Sequence, residues 1–126
     1  MAFFDGPASA KAANDDGEFK LAARLWNADV RLEAGDDAYV VRVRDGRVIE
    51  FAPVDASNGA ASHDVCISAP QNDWRELLRP APKPFYQDLM AAVSRQNFKI
   101  QGDVVGFYPY YRAINRLFEL MRNLNP

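Results

Sequence analysis

The sequence predicts an α+β protein in which helices pack on one face of a five-stranded, mostly antiparallel sheet. Three observations lead to this prediction. Five short segments are typical of strands: three of them alternate apolar and polar residues, as half-buried strands do, and one of the other two is rich in valine. Asp45-Gly46 joins two of these segments and is a strong signal for a two-residue hairpin turn. The C-terminal half instead carries apolar stripes at helical spacing, as helices packed on a sheet require.

The first half of the chain contains one short helix and four of the strands. The helix is predicted from Gly17, because Phe19, Ala22, Ala23 and Trp26 recur at helical spacing. Strands are predicted over residues 28–33, 38–44, 47–52 and 63–69. Pro53 ends the third strand, and a loop rich in small and polar residues separates it from the fourth.

The second half is mostly helical. A helix containing Trp74 follows Pro70, and three prolines between residues 79 and 84 predict a stiff connector. Further helices are predicted over residues 85–95 and 104–124, with a short strand at 98–101 between them. Asp103 is placed to cap the last helix, and Pro109 should interrupt it.

The composition is that of one ordinary globular domain. The chain has 126 residues, of which 48% are hydrophobic and 25% charged, so it can bury a core of useful size. A net charge of −2 and an isoelectric point of about 5.3 argue against a nucleic-acid partner. The densest positive group is Arg42, Arg44 and Arg47 beside the hairpin turn. It is typical of a solvated hairpin end, and docking of an anionic head group or an anionic partner is the alternative.

The N-terminal segment is small and polar apart from Phe3 and Phe4. We therefore expect residues 1–16 to be flexible and residues 17–126 to form the single domain. The segment lacks the features of a secretory signal, and no stretch reaches the roughly 20 apolar residues of a membrane span, so a cytoplasmic location follows by default. The lone cysteine, Cys66, excludes an intrachain disulfide and is expected to be a small core residue.

The order of these elements resembles the sterol carrier protein family. The motifs that carry the resemblance are the hairpin VVRVRDG (40–46), the strand DVCIS (64–68), the helix DWRELL (73–78) and the segment FKIQGD (98–103). Together they span roughly residues 19 to 121. The resemblance implies a five-stranded sheet whose helices enclose an apolar cavity. It also implies non-covalent binding of a hydrophobic small molecule such as a sterol, a fatty acid or an acyl thioester.

One segment departs from the family pattern. Between Trp74 and Phe98 the proline-rich connector and a helix replace a shorter link. We expect this inserted helix to reshape the mouth of the cavity.

The aromatic run FYPYY at residues 107–111 is the most unusual local feature. In a helix these side chains point in several directions, so they cannot all enter one core. Packing with surface tyrosines is one interpretation, and the wall or gate of a mostly apolar pocket is the other. With the facing helix included, the predicted ligand-binding residues are Phe85, Leu89, Met90, Phe107, Tyr108, Tyr111, Ile114 and Phe118.

A lyase or isomerase acting on a hydrophobic substrate is the alternative function. Glu50 and His63 are the weak candidates for its acid or base. With an unbulged two-residue turn Glu50 lies opposite Val41 among apolar residues, whereas a bulge or a longer turn places it in solvent. His63 is the only histidine, and a hydrogen-bonded residue at a strand edge is the plainer interpretation. The sequence carries no standard cofactor motif and no metal-ligand spacing, so neither group is expected.

Formation of a homodimer is the third functional possibility. It would form through an apolar patch on the last helix, where the predicted stripe continues to Met121.

Overall fold

From Gly17 onward, strands and helices follow one another in the order that the sequence predicts. The computed structural model describes residues 3–54 and 64–124. The first block comprises α1 (Gly6–Asp15), α2 (Gly17–Ala22), β1 (Ala28–Ala34), β2 (Asp37–Arg44), β3 (Arg47–Pro53) and β4 (Val65–Ala69). The second comprises α3 (Gln71–Leu77), α4 (Leu89–Arg95), β5 (Lys99–Gly102), α5 (Val104–Phe107), a 3₁₀ turn (Tyr108–Tyr110) and α6 (Tyr111–Arg122).

The five strands form one sheet in the order β3-β2-β1-β4-β5. Strands β1 and β4 run parallel, and the other three neighbouring pairs are antiparallel. On the face that the helices cover, Val30 pairs with Val41, and Leu32 pairs with both Tyr39 and Ile67. All five residues are buried in the core. The predicted α+β class with a mostly antiparallel sheet is therefore confirmed.

The hairpin between β2 and β3 combines a tight turn with a bulge. Asp45 and Gly46 have φ angles of 52° and 78°, the left-handed region that a two-residue primed turn requires. Val43 pairs with Val48, but the next pair is Arg42 with Glu50, so Ile49 has no partner on β2. The bulge moves Glu50 to the sheet face opposite the helices. The unbulged register, with Glu50 opposite Val41, is wrong, and the bulged alternative is correct.

The N-terminal segment differs most from expectation. Residues 6–15, predicted to be flexible, form helix α1 against β3, because small residues allow the two backbones to approach closely. A Cβ at Gly6 would lie 2.0 Å from the carbonyl oxygen of Phe51, so only glycine fits there. The Asp5 carboxylate accepts a hydrogen bond from the backbone N–H of Ala8 and caps the helix.

The proline-containing segments shape the C-terminal half. The 3₁₀ turn around Pro109 separates α5 from α6, which confirms the predicted interruption. The helix predicted from residue 85 begins only at Leu89, because the Asp88 carboxylate caps it there by accepting from the N–H of Met90. Residues 79–88 form an irregular connector.

One contiguous hydrophobic core fills the space between the sheet and the helices. Each helix from α1 to α6 places at least one buried side chain in it: Ala13, Phe19, Trp74, Leu89, Phe107 and Ile114 are examples. Within residues 3–54 and 64–124, no helix has the length and hydropathy needed to cross a bilayer.

Candidate functional site

Trp74 is the centre of an aromatic column inside the helical layer. It lies on α3, a short helix that begins after Pro70 and carries an acidic residue in its first turn. Its side chain is 0% exposed, and its indole N–H donates to the carbonyl oxygen of Glu33 on β1 at 2.7 Å. The ring makes edge contacts with Phe98, Phe4 and Phe118, with centroid distances of 4.9, 5.2 and 5.3 Å. The indole is therefore fixed in a single orientation between sheet and helices.

A groove of about 470 Å³ opens at one end of this column. We call it the N-terminal groove, because Phe3, Phe4 and Asp5 form one side of it. Leu78, Met121 and Leu124 supply further apolar walls, and Arg75 and Arg79 supply positive charge. Its volume lies within the range typical of small-molecule sites. Because the Phe4 ring contacts both the groove and Trp74, the groove is joined to the core by aromatic contacts.

The two arginines of the groove have different partners. The Arg79 guanidinium forms an ion pair with Glu76 at 3.2 Å, and Lys83 pairs with the same carboxylate at 3.1 Å. Arg75 instead donates to the neutral side chains of Asn72 and Gln71, at 3.1 and 3.2 Å, and lies over the Phe3 ring. A guanidinium with neutral partners retains more of its capacity to bind an anion.

The eight ligand-binding residues predicted from the sequence divide into three groups. Leu89, Ile114, Phe118 and Phe107 are buried in the core, and Phe118 contacts Trp74. Tyr111 is half-buried. Phe85, Met90 and Tyr108 are exposed, Tyr108 by 68%. The structure brings Leu89, Met90 and Tyr111 together where α4 begins against α6, whereas Phe107 lies elsewhere, near Trp26.

Hydrogen bonds attach the start of α4 to α6. The Tyr111 hydroxyl donates to the Asp88 carboxylate in a short hydrogen bond and accepts from the N–H of Met90 at 3.2 Å. The N–H of Leu89 donates to the Asn115 side chain at 3.1 Å. Burial, together with the Asp88 carboxylate, raises the pKa of Tyr111 above its usual value. Tyr111 therefore acts as a neutral hydrogen-bonding anchor for the start of α4.

A buried polar cluster lies behind the connector. Asp73, on α3, accepts a hydrogen bond from the Tyr86 hydroxyl at 2.7 Å and another from the Asn97 amide at 3.3 Å. Burial and the adjacent Asp73 raise the pKa of Tyr86 to about 12. The hydroxyl stays protonated at any ordinary pH, as it must to donate to Asp73.

Arg122 holds the connector to α6. Its guanidinium donates to the carbonyl oxygens of Leu77, Tyr86 and Gln87 at 2.7, 2.8 and 2.9 Å. Burial lowers the pKa of Arg122 from its usual value, but an arginine remains charged at neutral pH. One side chain thus satisfies the last carbonyl group of α3 and two carbonyl groups of the irregular connector.

The candidate acid and base do not form a site in the described part of the chain. Glu50 accepts from Arg42 at 2.6 Å, and Arg42 also pairs with Asp29 at 3.0 Å, all on the face opposite the helices. His63 lies outside the described residues. Among residues 3–54 and 64–124, no three His, Cys, Asp or Glu side chains are grouped to hold a metal ion.

The sequence analysis did not identify Phe3 and Phe4, which form one side of the N-terminal groove. Their only signal was two consecutive phenylalanines in a stretch of small and polar residues. Phe4 is 3% exposed in the structure, so this signal marked a buried residue.

The fold is that of sterol carrier protein structures. The chain aligns with a crystal structure of sterol carrier protein 2 over 92% of each chain, at 21% identity and a TM-score of 0.74. A conserved protein from Thermus thermophilus aligns over 93% of this chain and 83% of its own, at 21% identity and a TM-score of 0.69. The ubiquinone synthesis protein UbiJ-SCP2 aligns over 92% of this chain and 85% of its own, at 17% identity and a TM-score of 0.57. No protein-family model and no curated protein sequence matches the chain.

Proposed function

We propose that this protein binds a hydrophobic small molecule, of the sterol, fatty acid or acyl thioester class, between its helices and its sheet. The observation that carries the proposal is the aromatic column Phe4–Trp74–Phe118, which leads from an open groove of about 470 Å³ into the core. Structures of the same fold support it: one is named a sterol carrier protein and another a ubiquinone synthesis protein, and both names refer to hydrophobic molecules.

The lining predicted from the sequence is part of this proposal. Leu89, Ile114 and Phe118 would form its inner wall, with Phe107 further along the same helical layer. Met90, Tyr111, Phe85 and Tyr108 would lie at its outer edge. Because the inner residues are buried in the core, loading requires side chains to move apart.

The energy of binding would come from burial of apolar surface. A ligand that buries about 300 Å² of apolar surface gains about 7.5 kcal/mol, at ~25 cal/mol per Å², before the costs of association are subtracted. Arg75 at the edge of the groove favours a ligand that also carries a carboxylate. Among the three ligand classes, a fatty acid therefore fits best.

Native mass spectrometry tests the proposal. The purified protein is measured alone and after addition of oleic acid, cholesterol or oleoyl-coenzyme A, and any ligand that co-purifies is extracted and identified. We expect one ligand per chain, with oleic acid bound most tightly. Absence of an adduct with all three compounds would contradict the proposal.

A charge reversal tests the position of the head group. Arg75→Glu should weaken binding of oleic acid about tenfold and leave cholesterol binding unchanged, because a carboxylate would face a like charge. Arg47→Glu, at the hairpin turn, makes the same change in net charge away from the groove and is the matched control. If both variants weaken oleic acid binding equally, the affinity depends on the net charge of the protein and not on the position of Arg75, which would contradict the placement of the head group.

A further inference from the structure

The Phe3–Phe4 pair occupies a position that a hydrophobic ligand could take. It precedes α1 and belongs to no helix or strand. The Phe4 ring is surrounded by four aromatic rings, those of Phe3, Tyr39, Trp74 and Phe51, at centroid distances of 4.9, 4.9, 5.2 and 6.0 Å. The same residue lines the N-terminal groove, which Trp74 does not line, so Phe4 links this groove to Trp74.

Within residues 3–54 and 64–124, the backbone N–H groups of this pair bond to a single side chain. The N–H groups of Phe3 and Phe4 both donate to the hydroxyl oxygen of Tyr39, at 2.6 and 3.2 Å. Such an attachment can be released by loss of one hydroxyl contact, unlike a strand held by a ladder of backbone hydrogen bonds.

The chain is firmly fixed immediately after the pair. The Asp5 carbonyl oxygen accepts from the Ser9 hydroxyl at 2.7 Å, and the Asp5 carboxylate caps α1. Gly6 lies directly against the backbone of Phe51, as the fold of α1 on β3 requires. A movement of Phe3 and Phe4 would therefore pivot at Asp5 and leave α1 in place.

We propose that the Phe3–Phe4 pair is a displaceable plug, which fills the mouth of the ligand site and is latched by the Tyr39 hydroxyl. The apolar part of the ligand takes the place of the Phe4 ring and comes into contact with Trp74. This inference rests on the proposed function, because it describes how that same site opens. The observed dissociation constant is then the intrinsic constant divided by the fraction of molecules in which the plug is open. Any change that weakens the plug tightens binding.

Three variants test the plug, with 11-(dansylamino)undecanoic acid as the fluorescent probe and oleic acid as its competitor. Tyr39→Phe removes the latch and keeps every ring, so binding should tighten about threefold. Phe4→Ala removes the plug itself, and binding should tighten about tenfold. Phe98→Ala is the matched control, because its ring contacts Trp74 at 4.9 Å but does not line the groove. It should not tighten binding.

The outcomes separate the plug from the function. If the wild type binds the probe and neither Tyr39→Phe nor Phe4→Ala tightens binding, the plug is wrong and the proposed function stands. Equal tightening by Phe98→Ala would mean that any new cavity beside Trp74 accepts the probe, which also overturns the plug. If no variant and no wild-type protein binds, the proposed function fails and the plug fails with it. Binding of the probe by the Phe4→Ala variant alone would support both the plug and the proposed function. If Phe4→Ala does not fold, the comparison of Tyr39→Phe with the wild type tests the plug.

Discussion

The side chain of Asn14 forms two hydrogen bonds with the backbone of Val48, as the backbone of a neighbouring strand would. Its amide nitrogen donates to the Val48 carbonyl oxygen at 2.9 Å, and its amide oxygen accepts from the Val48 N–H at 2.9 Å. Val48 lies on the edge strand β3, next to the bulge at Ile49. Helix α1 thus covers an edge that would otherwise expose unpaired backbone groups.

Replacement of Asn14 by alanine should therefore destabilise the protein by about 2 kcal/mol, since two hydrogen bonds are lost at about 1 kcal/mol each. Urea denaturation followed by circular dichroism measures the change. Lys11→Ala on the same helix is the control, because its ion pair with Asp15 is exposed and should contribute little to stability. Similar losses in both variants would mean that only the helix propensity of α1 had changed.

The ion pair between Asp16 and Arg116 should make stability depend on pH. Hydrogen bonds from the Arg116 guanidinium, at 2.9 and 3.0 Å, and from the N–H of Phe19 hold the pKa of Asp16 at about 2, below its usual value of 3.8. Because the folded-state pKa is lowered, the stabilisation is present above pH 3.8 and is lost as the pH falls toward 2.

Asp16→Asn tests this ion pair and retains a side chain that can cap α2. The variant should be about 1 kcal/mol less stable than the wild type at pH 7, and the difference should shrink below pH 4. Denaturation curves at several pH values give the comparison. A difference that stays constant down to pH 2 would contradict the assignment.

Leu25 adopts a left-handed backbone conformation, with φ at 69°, while its side chain is 68% exposed. A leucine is strained there and gains little burial in return. Leu25→Gly should stabilise the protein by about 0.5–1 kcal/mol. Leu21→Gly removes an equally exposed leucine from within α2, where glycine should cost about 1 kcal/mol. Thermal melts should shift in opposite directions, and shifts of the same sign would refute the strain at Leu25.

Loss of the Tyr86 hydroxyl should leave the buried Asp73 carboxylate with only its longer contact to Asn97. Tyr86→Phe is therefore expected to cost about 2 kcal/mol, because a buried acceptor loses its best partner. Tyr108→Phe, at an exposed position, is the control and should change stability by less than about 0.5 kcal/mol. Unchanged stability of Tyr86→Phe would show that water satisfies Asp73.

The features that the sequence predicted correctly are those set by local chemistry. Asp45-Gly46 forms the predicted turn because its two left-handed φ angles suit these residues. Asp103 caps α5 as predicted, accepting from the N–H of Gly106 at 2.9 Å. Pro109 interrupts the last helix because it cannot continue the hydrogen-bond pattern.

The features that it did not predict depend on distant contacts. The Asn14–Val48 pair joins residues 34 positions apart, and the buried Phe4 meets Trp74 only after the sheet has formed. The bulge at Ile49 follows the turn without a sequence signal of its own, and it alone determines the face on which Glu50 lies. The lining of the site is likewise formed by tertiary packing, so periodicity identified apolar helix faces but not the groove.

Contact between ligand and Trp74 is the central claim, and quenching of its fluorescence by 9,10-dibromostearic acid tests that contact most directly. The measurement uses a Trp26→Phe variant, in which Trp74 is the remaining tryptophan. We expect quenching that saturates at one ligand per chain and is reversed by unbrominated stearic acid. Binding of the brominated acid without quenching of Trp74, or no saturable binding at all, would contradict the claim.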